Sequence, residues 1–316
     1  MPANEKFFPL ILVSLLFLAA CKGNNPSVPV KGTVRDSKGL PVPGAVISDG
    51  NVSTLTDDSG VFNLLAFSRS LMIHKPRFEP LEFQADTVND LTLVSRTAPL
   101  TIAWDLRWGG GQTEGIRKHL EDNKVKVIPF NEGIPTAEIL VISCPSVFSS
   151  EASLEAENWV RKGGTLVLFG EWGGYPFFDQ DGVNKLLDGT GIRFSGTTVR
   201  EYDPKDQQRP EWIPIGSFTS RALVAHLAKG PTLFTAGSLD LTPPAQTLAQ
   251  TSDKSFRISS YSQGPQVVAA TSPFGYGKFV VWSDNSFITD TDSQGNGTPD
   301  WKYADNAATA FNCLGF

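Results

Sequence analysis

The sequence predicts two folded units in series: a small all-β sandwich over residues 28–96, then an α/β unit over residues 98–316 with a mostly parallel sheet. Three observations point there. The 316 residues exceed the length of about 250 to 300 at which a single core stops growing. Between residues 28 and 96, short β-rich runs alternate with turn residues and show no helical period. Beyond Thr97-Ala98-Pro99, apolar runs of strand length alternate with amphipathic runs of helix length, the pattern of strands buried on both faces under helices.

Composition narrows the function classes. With 40% hydrophobic and 19% charged residues, the chain has material for a core and too little charge for disorder. Its 27 Lys and Arg are scattered among 33 Asp and Glu, for a formal charge of −6, so no nucleic acid is expected as a partner. Three His and three Cys, without CxxC or HxxxH spacing, leave few ligands for zinc or iron.

The first 27 residues read as an address. A short polar start with one Lys precedes an apolar run from Phe7 to Ala20. At 1.5 Å per residue that run spans roughly 21 Å, short of a hydrocarbon core of about 30 Å, so it is a signal h-region rather than a span. It ends in Leu18-Ala19-Ala20-Cys21, which resembles the bacterial lipobox. The resemblance implies cleavage of residues 1–20, acylation of Cys21 and attachment to a bacterial envelope membrane, with the protein periplasmic or surface-exposed. Residues 21–27 are polar and turn-forming, as a tether requires. In that oxidising compartment Cys144 and Cys313 are the candidate disulfide pair, the other reading being two buried thiols.

In the first unit, residues 30–36 alternate as a strand, Asp36-Ser37-Lys38-Gly39 turns, residues 45–48 resume a strand, and Thr56-Asp57-Asp58-Ser59-Gly60 turns into Val61-Phe62-Asn63-Leu64. Lys31-Gly32-Thr33-Val34, Gly39-Leu40-Pro41-Val42-Pro43-Gly44-Ala45, the Thr56 to Phe62 run and Arg77-Phe78-Glu79-Pro80-Leu81 together resemble the carboxypeptidase regulatory-like family, a transthyretin-like sandwich. The resemblance implies an accessory spacer, similar in fold to carbohydrate-binding modules. Its Phe residues fit a core better than a sugar platform.

In the second unit, strands are expected over 100–106, 125–130, 137–143, 165–169 and 278–282, with helices over 113–122, 150–162 and 303–314. Ser149 or Ser150 caps the second helix, Glu151 and Glu155 favour its start, and Gly163-Gly164 ends it. Ile139 to Ser143, Trp159-Val160-Arg161-Lys162-Gly163-Gly164, Thr165 to Gly170, Gly275 to Asp284 and Asp305-Asn306-Ala307 resemble the class I glutamine amidotransferase-like superfamily, in particular its non-catalytic secreted branch. That implies a flavodoxin-like fold. The family's nucleophilic Cys follows a central strand, where this chain has Glu171 or Trp172, and the only later His is His226. Amidotransferase activity is not expected.

Ligands of parallel sheets bind beyond the carboxyl ends of the strands. The candidates there are Asp105, Trp108 and Gln112 around Gly109-Gly110-Gly111; Glu171, Trp172 and Tyr175; and Asp284 and Asn285. The glycines lack phosphate-loop or dinucleotide spacing. Trp108, Trp172 and Tyr175 suit stacking against a sugar or peptide. From Asp292 to Asp300 the chain also resembles the acidic repeat of thrombospondin type 3 modules. Asp290, Asp292, Gln294, Asn296 and Asp300 are therefore candidate calcium ligands against an ordinary Asx/Gly turn, and no other cofactor is expected. The leading expectation is a non-catalytic, lipid-anchored binding or scaffolding module with a glycan or envelope-protein partner. The alternative is a hydrolase or transferase using Glu171 and Asp284 as an acid/base pair.

Overall fold

A computed structural model describes residues 27–86, 88–107, 112–202 and 209–315. The expected leader, Cys21 and the tether up to residue 26 lie outside these residues, as does Trp108 with the three glycines after it.

Residues 28–93 form strands β1 (Val28–Asp36), β2 (Val46–Ser48), β3 (Ser53–Leu55), β4 (Val61–Ala66), β5 (Ser70–His74), β6 (Leu81–Gln84) and β7 (Val88–Leu93). They make two small sheets, ordered β4-β1-β7 and β3-β2-β5-β6. Alternation along β4 turns Phe62, Leu64 and Ala66 inward, where they meet Val30, Val34, Ile47, Leu71 and Ile73 in one core. The turns are made by aspartates: Asp36 accepts from the amides of Lys38 and Leu40, and Asp57 from those of Ser59 and Val61, all at 2.9 Å.

The rest of the chain begins with β8 (Thr101–Asp105), α1 (Glu114–Asp122), β9 (Lys126–Phe130), β10 (Ile139–Ser143), α2 (Ser150–Arg161), β11 (Thr165–Phe169) and α3 (Gln180–Leu186). Short strands follow: β12 (Ile192–Phe194), β13 (Val199–Glu201), β14 (Trp212–Phe218), β15 (Thr232–Phe234), β16 (Leu239–Leu241), β17 (Gln246–Thr251) and β18 (Ser255–Arg257). The hairpin β19 (Val267–Phe274) and β20 (Gly277–Trp282) precedes a terminal helix, α4 (Asn306–Gly315). Nine strands join one sheet in the order β15-β14-β17-β19-β20-β11-β10-β8-β9. Its faces carry two cores: α1 and α4 cover Trp104, Val141, Val167 and Trp282, whereas α2 and α3 cover Leu140, Ile142, Leu168 and Val281. No helix among the described residues is long and apolar enough to cross a membrane.

This corrects the expected fold class, an all-β sandwich followed by an α/β unit with a mostly parallel sheet. The described chain is mostly β, with twenty strands against four α-helices, and the large sheet is mixed. Strands β9, β8, β10, β11 and β20 run parallel to one another; β19, β17, β14 and β15 extend the sheet with antiparallel pairing. The reason lies in residues 197–266, whose strands are mostly three residues long and whose pattern is broken by turns and register shifts. The helix-like run around His226 is a series of turns.

The disulfide expectation is corrected as well. Cys144 and Cys313 are both free and buried, Cys144 in the core under α2 and Cys313 in the core under α4. The sheet stands between them.

Candidate functional site at the strand ends

Three parallel neighbours, β10, β11 and β20, end side by side, and the residue types that follow each strand set the chemistry. Strand β10 ends in Ser143 and Cys144 follows; after β11 come Gly170 and Glu171; after β20, Ser283, Asp284, Asn285 and Ser286. Gly170 has to be glycine, because a Cβ there would fall 2.4 Å from the Phe194 ring. Next to it, the Gly237 of a neighbouring loop packs on the backbone of Glu171 and Trp172.

Glu171 is 4% exposed and Asp284 is fully buried. Asp284 accepts from the Phe234 amide at 2.6 Å and the Ser286 amide at 2.8 Å. Glu171 accepts from the Ser286 hydroxyl at 3.2 Å and from the backbone of Trp172 and Asn285. Removal from water, then the nearby Asp284 charge, pushes the Glu171 carboxyl far above the carboxylate range. Burial does the same to Asp284, opposed by the two amides. Two acids this close share protons, so at neutral pH the pair carries at least one carboxylic O–H. The Cys144 thiol, close to both acids, is raised first by burial and then by their charge, and stays protonated. It donates to the Phe177 carbonyl at 3.5 Å. The Ser143 hydroxyl donates to the Asn285 side-chain oxygen.

Above this pair lies a row of rings. Trp172 and Tyr175 have centroids 6.1 Å apart, and Tyr175 meets Phe177 edge-on at 5.8 Å. Phe177 is 64% exposed. The Tyr175 hydroxyl is raised first by burial and then by Glu171, so it stays a donor within reach of that acid's charge.

Of the residues singled out in the sequence, Glu171, Asp284, Asn285, Trp172 and Tyr175 come together. Asp105 does not join them. Buried at the end of β8, it binds Arg107 through both oxygens at 2.8 to 3.1 Å, and Arg107 reaches on to Glu155 and covers the Phe130 ring. The Gln112 side chain is exposed, and its carbonyl accepts from the Asp290 amide. Ser143 and Phe177 escaped the sequence reading, although the aromatic run after Tyr175 was visible there.

The candidate calcium ligands are engaged in separate tasks. Asp290 accepts from the Gly115 amide at 3.0 Å and the Trp301 indole at 2.9 Å, which ties the loop to α1. Asp292 accepts from the amides of Asn296 and Gly297, Gln294 accepts from the Asn296 side chain, and buried Asp300 accepts from the Ser293 amide and hydroxyl. Among the described residues no three His, Cys, Asp or Glu side chains are grouped as a metal site requires.

No family model and no curated protein matches the chain. Among solved structures it is similar to the mmIFT52 N-terminal domain, at 17% identity over 68% of this chain and 97% of that one, with a TM-score of 0.53. A cytoplasmic protein from Salmonella typhimurium LT2 aligns at 10% identity over 90% of this chain and 97% of its own, TM-score 0.46. A putative ThuA-like protein from Bacteroides uniformis aligns at 10% identity over 69% and 93%, TM-score 0.43. The first of these likenesses is one of fold.

Proposed function

We propose that this chain is a lipid-anchored module of a bacterial cell envelope that binds a glycan, without catalysis, at the ends of β10, β11 and β20. The observation that carries this reading is the row Trp172-Tyr175-Phe177 beside a hydrogen-bonding acid pair. A sugar offers a C–H face to stack on a ring and hydroxyls to pair with a phenol, and Trp172, Phe177 and Tyr175 supply these. The anchor follows from the order of polar start, apolar run and Leu18-Ala19-Ala20-Cys21.

Hydrolysis or transfer by Glu171 and Asp284 is the weaker reading. General acid/base work needs a carboxyl within hydrogen-bond reach of the substrate. Asp284 is fully buried and its oxygens are occupied by backbone amides, while the Cys144 thiol stays protonated.

The full chain is titrated by calorimetry with chitobiose and with a peptidoglycan disaccharide. Saturable binding that Trp172→Ala abolishes, with no product released, supports the reading. Absence of binding overturns it, and turnover that Glu171→Gln abolishes favours the hydrolase. For the anchor, Cys21→Ala is expected to leave the membrane fraction and lose fatty-acid label, because Cys21 is then the residue that carries the lipid. A variant that stays membrane-bound without label overturns that part.

A further inference from the structure

A second cavity lies away from the strand-end site, where the first seven strands meet the large sheet. Its volume is about 240 Å³. The walls carry two kinds of chemistry. Trp159, Phe78 and the flanking prolines are apolar, and the basic side chains of His74, Lys75, Arg96 and Lys162 stand against a single acid, Glu138. That acid is already engaged: it accepts from the Arg77 amide at 2.7 Å and lies 3.8 Å from Arg96. The Arg96 Nε lies 3.4 Å from a Glu79 carboxylate oxygen, an ion pair without hydrogen-bond geometry. Gly163 and Gly164 form part of the wall because rings occupy the space a side chain would need; a Cβ would fall 2.6 Å from His74 and 2.3 Å from Trp159. The seam is therefore shaped by close packing around a void whose charged walls are Arg96, Lys162 and Glu138.

We infer that this cavity is a binding site for a small carboxylate with a compact apolar body, about one ring in size, its carboxylate held by Lys162 and Arg96 and its body held between Trp159 and Phe78. The volume falls below the usual range for drug-sized ligands of about 300 to 1,000 Å³, which sets the one-ring limit. A carboxylate fits because Arg presents a planar fork that an anion of matching shape can accept, and charge-assisted bonds are the stronger ones. Burial and then the Arg96 charge hold the His74 imidazole low, so it adds a polar edge rather than a charge at neutral pH. Burial and then the Arg77 charge lower the Lys75 ammonium to about 7, so the cations of the wall are Arg96 and Lys162.

Calorimetry on the full chain compares benzoate, benzamide and inorganic phosphate. Benzoate is expected to bind saturably at one site, with benzamide about tenfold weaker, because only the charge differs. Inorganic phosphate should also be weaker, since it lacks the apolar body. Lys162 is exposed, so Lys162→Glu can be made without disturbing a core, and it should weaken benzoate about tenfold or more while the melting temperature holds. Arg96→Gln should weaken it as well. Trp172→Ala should leave benzoate binding unchanged, which separates this cavity from the glycan site. Equal affinity for benzoate and benzamide, no effect of Lys162→Glu, loss of binding in Trp172→Ala, or no binding at all would each overturn the assignment.

Discussion

Burial decides the proton on Glu171 and Asp284, and that makes stability depend on pH with a definite sign. The Glu171 carboxyl is raised from 4.5 to about 9, first by burial and then by Asp284. Between those values the folded chain holds a proton that the unfolded chain releases, so this group's contribution falls as pH rises through the window. Replacing Glu171 by Gln removes the dependence and keeps an acceptor for Ser286. The difference in melting temperature, Glu171→Gln minus wild type, is therefore expected to grow more favourable by a few degrees between pH 5 and about 9. A difference that stays flat would mean the acid is not held protonated. Lys278 runs the other way, since burial and the neighbouring Lys75 depress it well below 10.5. The unfolded chain binds that proton more tightly, so the relative advantage of Lys278→Met should be greatest near neutral pH and shrink as pH approaches 10.5. Thermal melts across pH on both variants check the opposite slopes. Much of this site was legible because Glu171, Asp284, Asn285, Trp172 and Tyr175 each follow a readable apolar run. Asp105 misled because an acid at a strand end looks the same whether it faces a site or an arginine two residues on.

At the scale of elements, α1, α2, α4 and the five parallel strands agree with their local sequence signals to within a few residues, whereas α3 was not expected. Strand β11 is Thr165 and four apolar residues closed by Gly170, and α2 carries its own start and stop. Ser149 caps α2 by accepting from the Ala152 amide at 3.2 Å, so Ser149→Ala should cost about 1 kcal/mol, read by denaturant unfolding. At the other end Gly163 has φ +114 and touches His74. Gly163→Ala should cost more than that, because strain and overlap add. Asp292 is half-buried and accepts from two amides of its loop, so Asp292→Ala should speed hydrogen exchange at the amides of Asn296 and Gly297 while the cores stay protected. The antiparallel strands were illegible for a physical reason. Three-residue strands such as β13, β15 and β18 are too short to show an alternation, and their register depends on partners far along the chain.

On the scale of the whole molecule, the first seven strands and the large sheet are joined by hydrogen bonds, of which the Lys278 tie is buried. Lys278 donates to the Gly44 carbonyl at 2.6 Å, Asp58 accepts from the Ser220 hydroxyl at 2.6 Å and the Arg221 amide at 2.8 Å, and Glu138 accepts from the Arg77 amide. Such ties favour one cooperative transition. All seven Trp and all five Tyr lie beyond residue 98, so their emission reports the large sheet, whereas far-ultraviolet circular dichroism reports both parts. The two melting curves are expected to coincide, and Asp58→Ala should separate them or lower both midpoints. Nothing in the sequence pattern foretold these ties, since each pairs residues well over fifty positions apart.

Strand β20 occupies the middle of the large sheet, between β11 and β19, although it is the last strand in the chain. During synthesis, β8 to β11 emerge more than a hundred residues earlier and can pair among themselves, leaving the apolar edge of β11 without its partner until residues 277–282 arrive. For that interval the nascent chain presents an open strand edge of the kind that recruits other chains. A ribosome stalled before residue 277, or a proteolytic fragment ending there, would thus release a sticky half-sheet rather than a smaller folded protein. Completion of the molecule is timed by its C-terminal fifth.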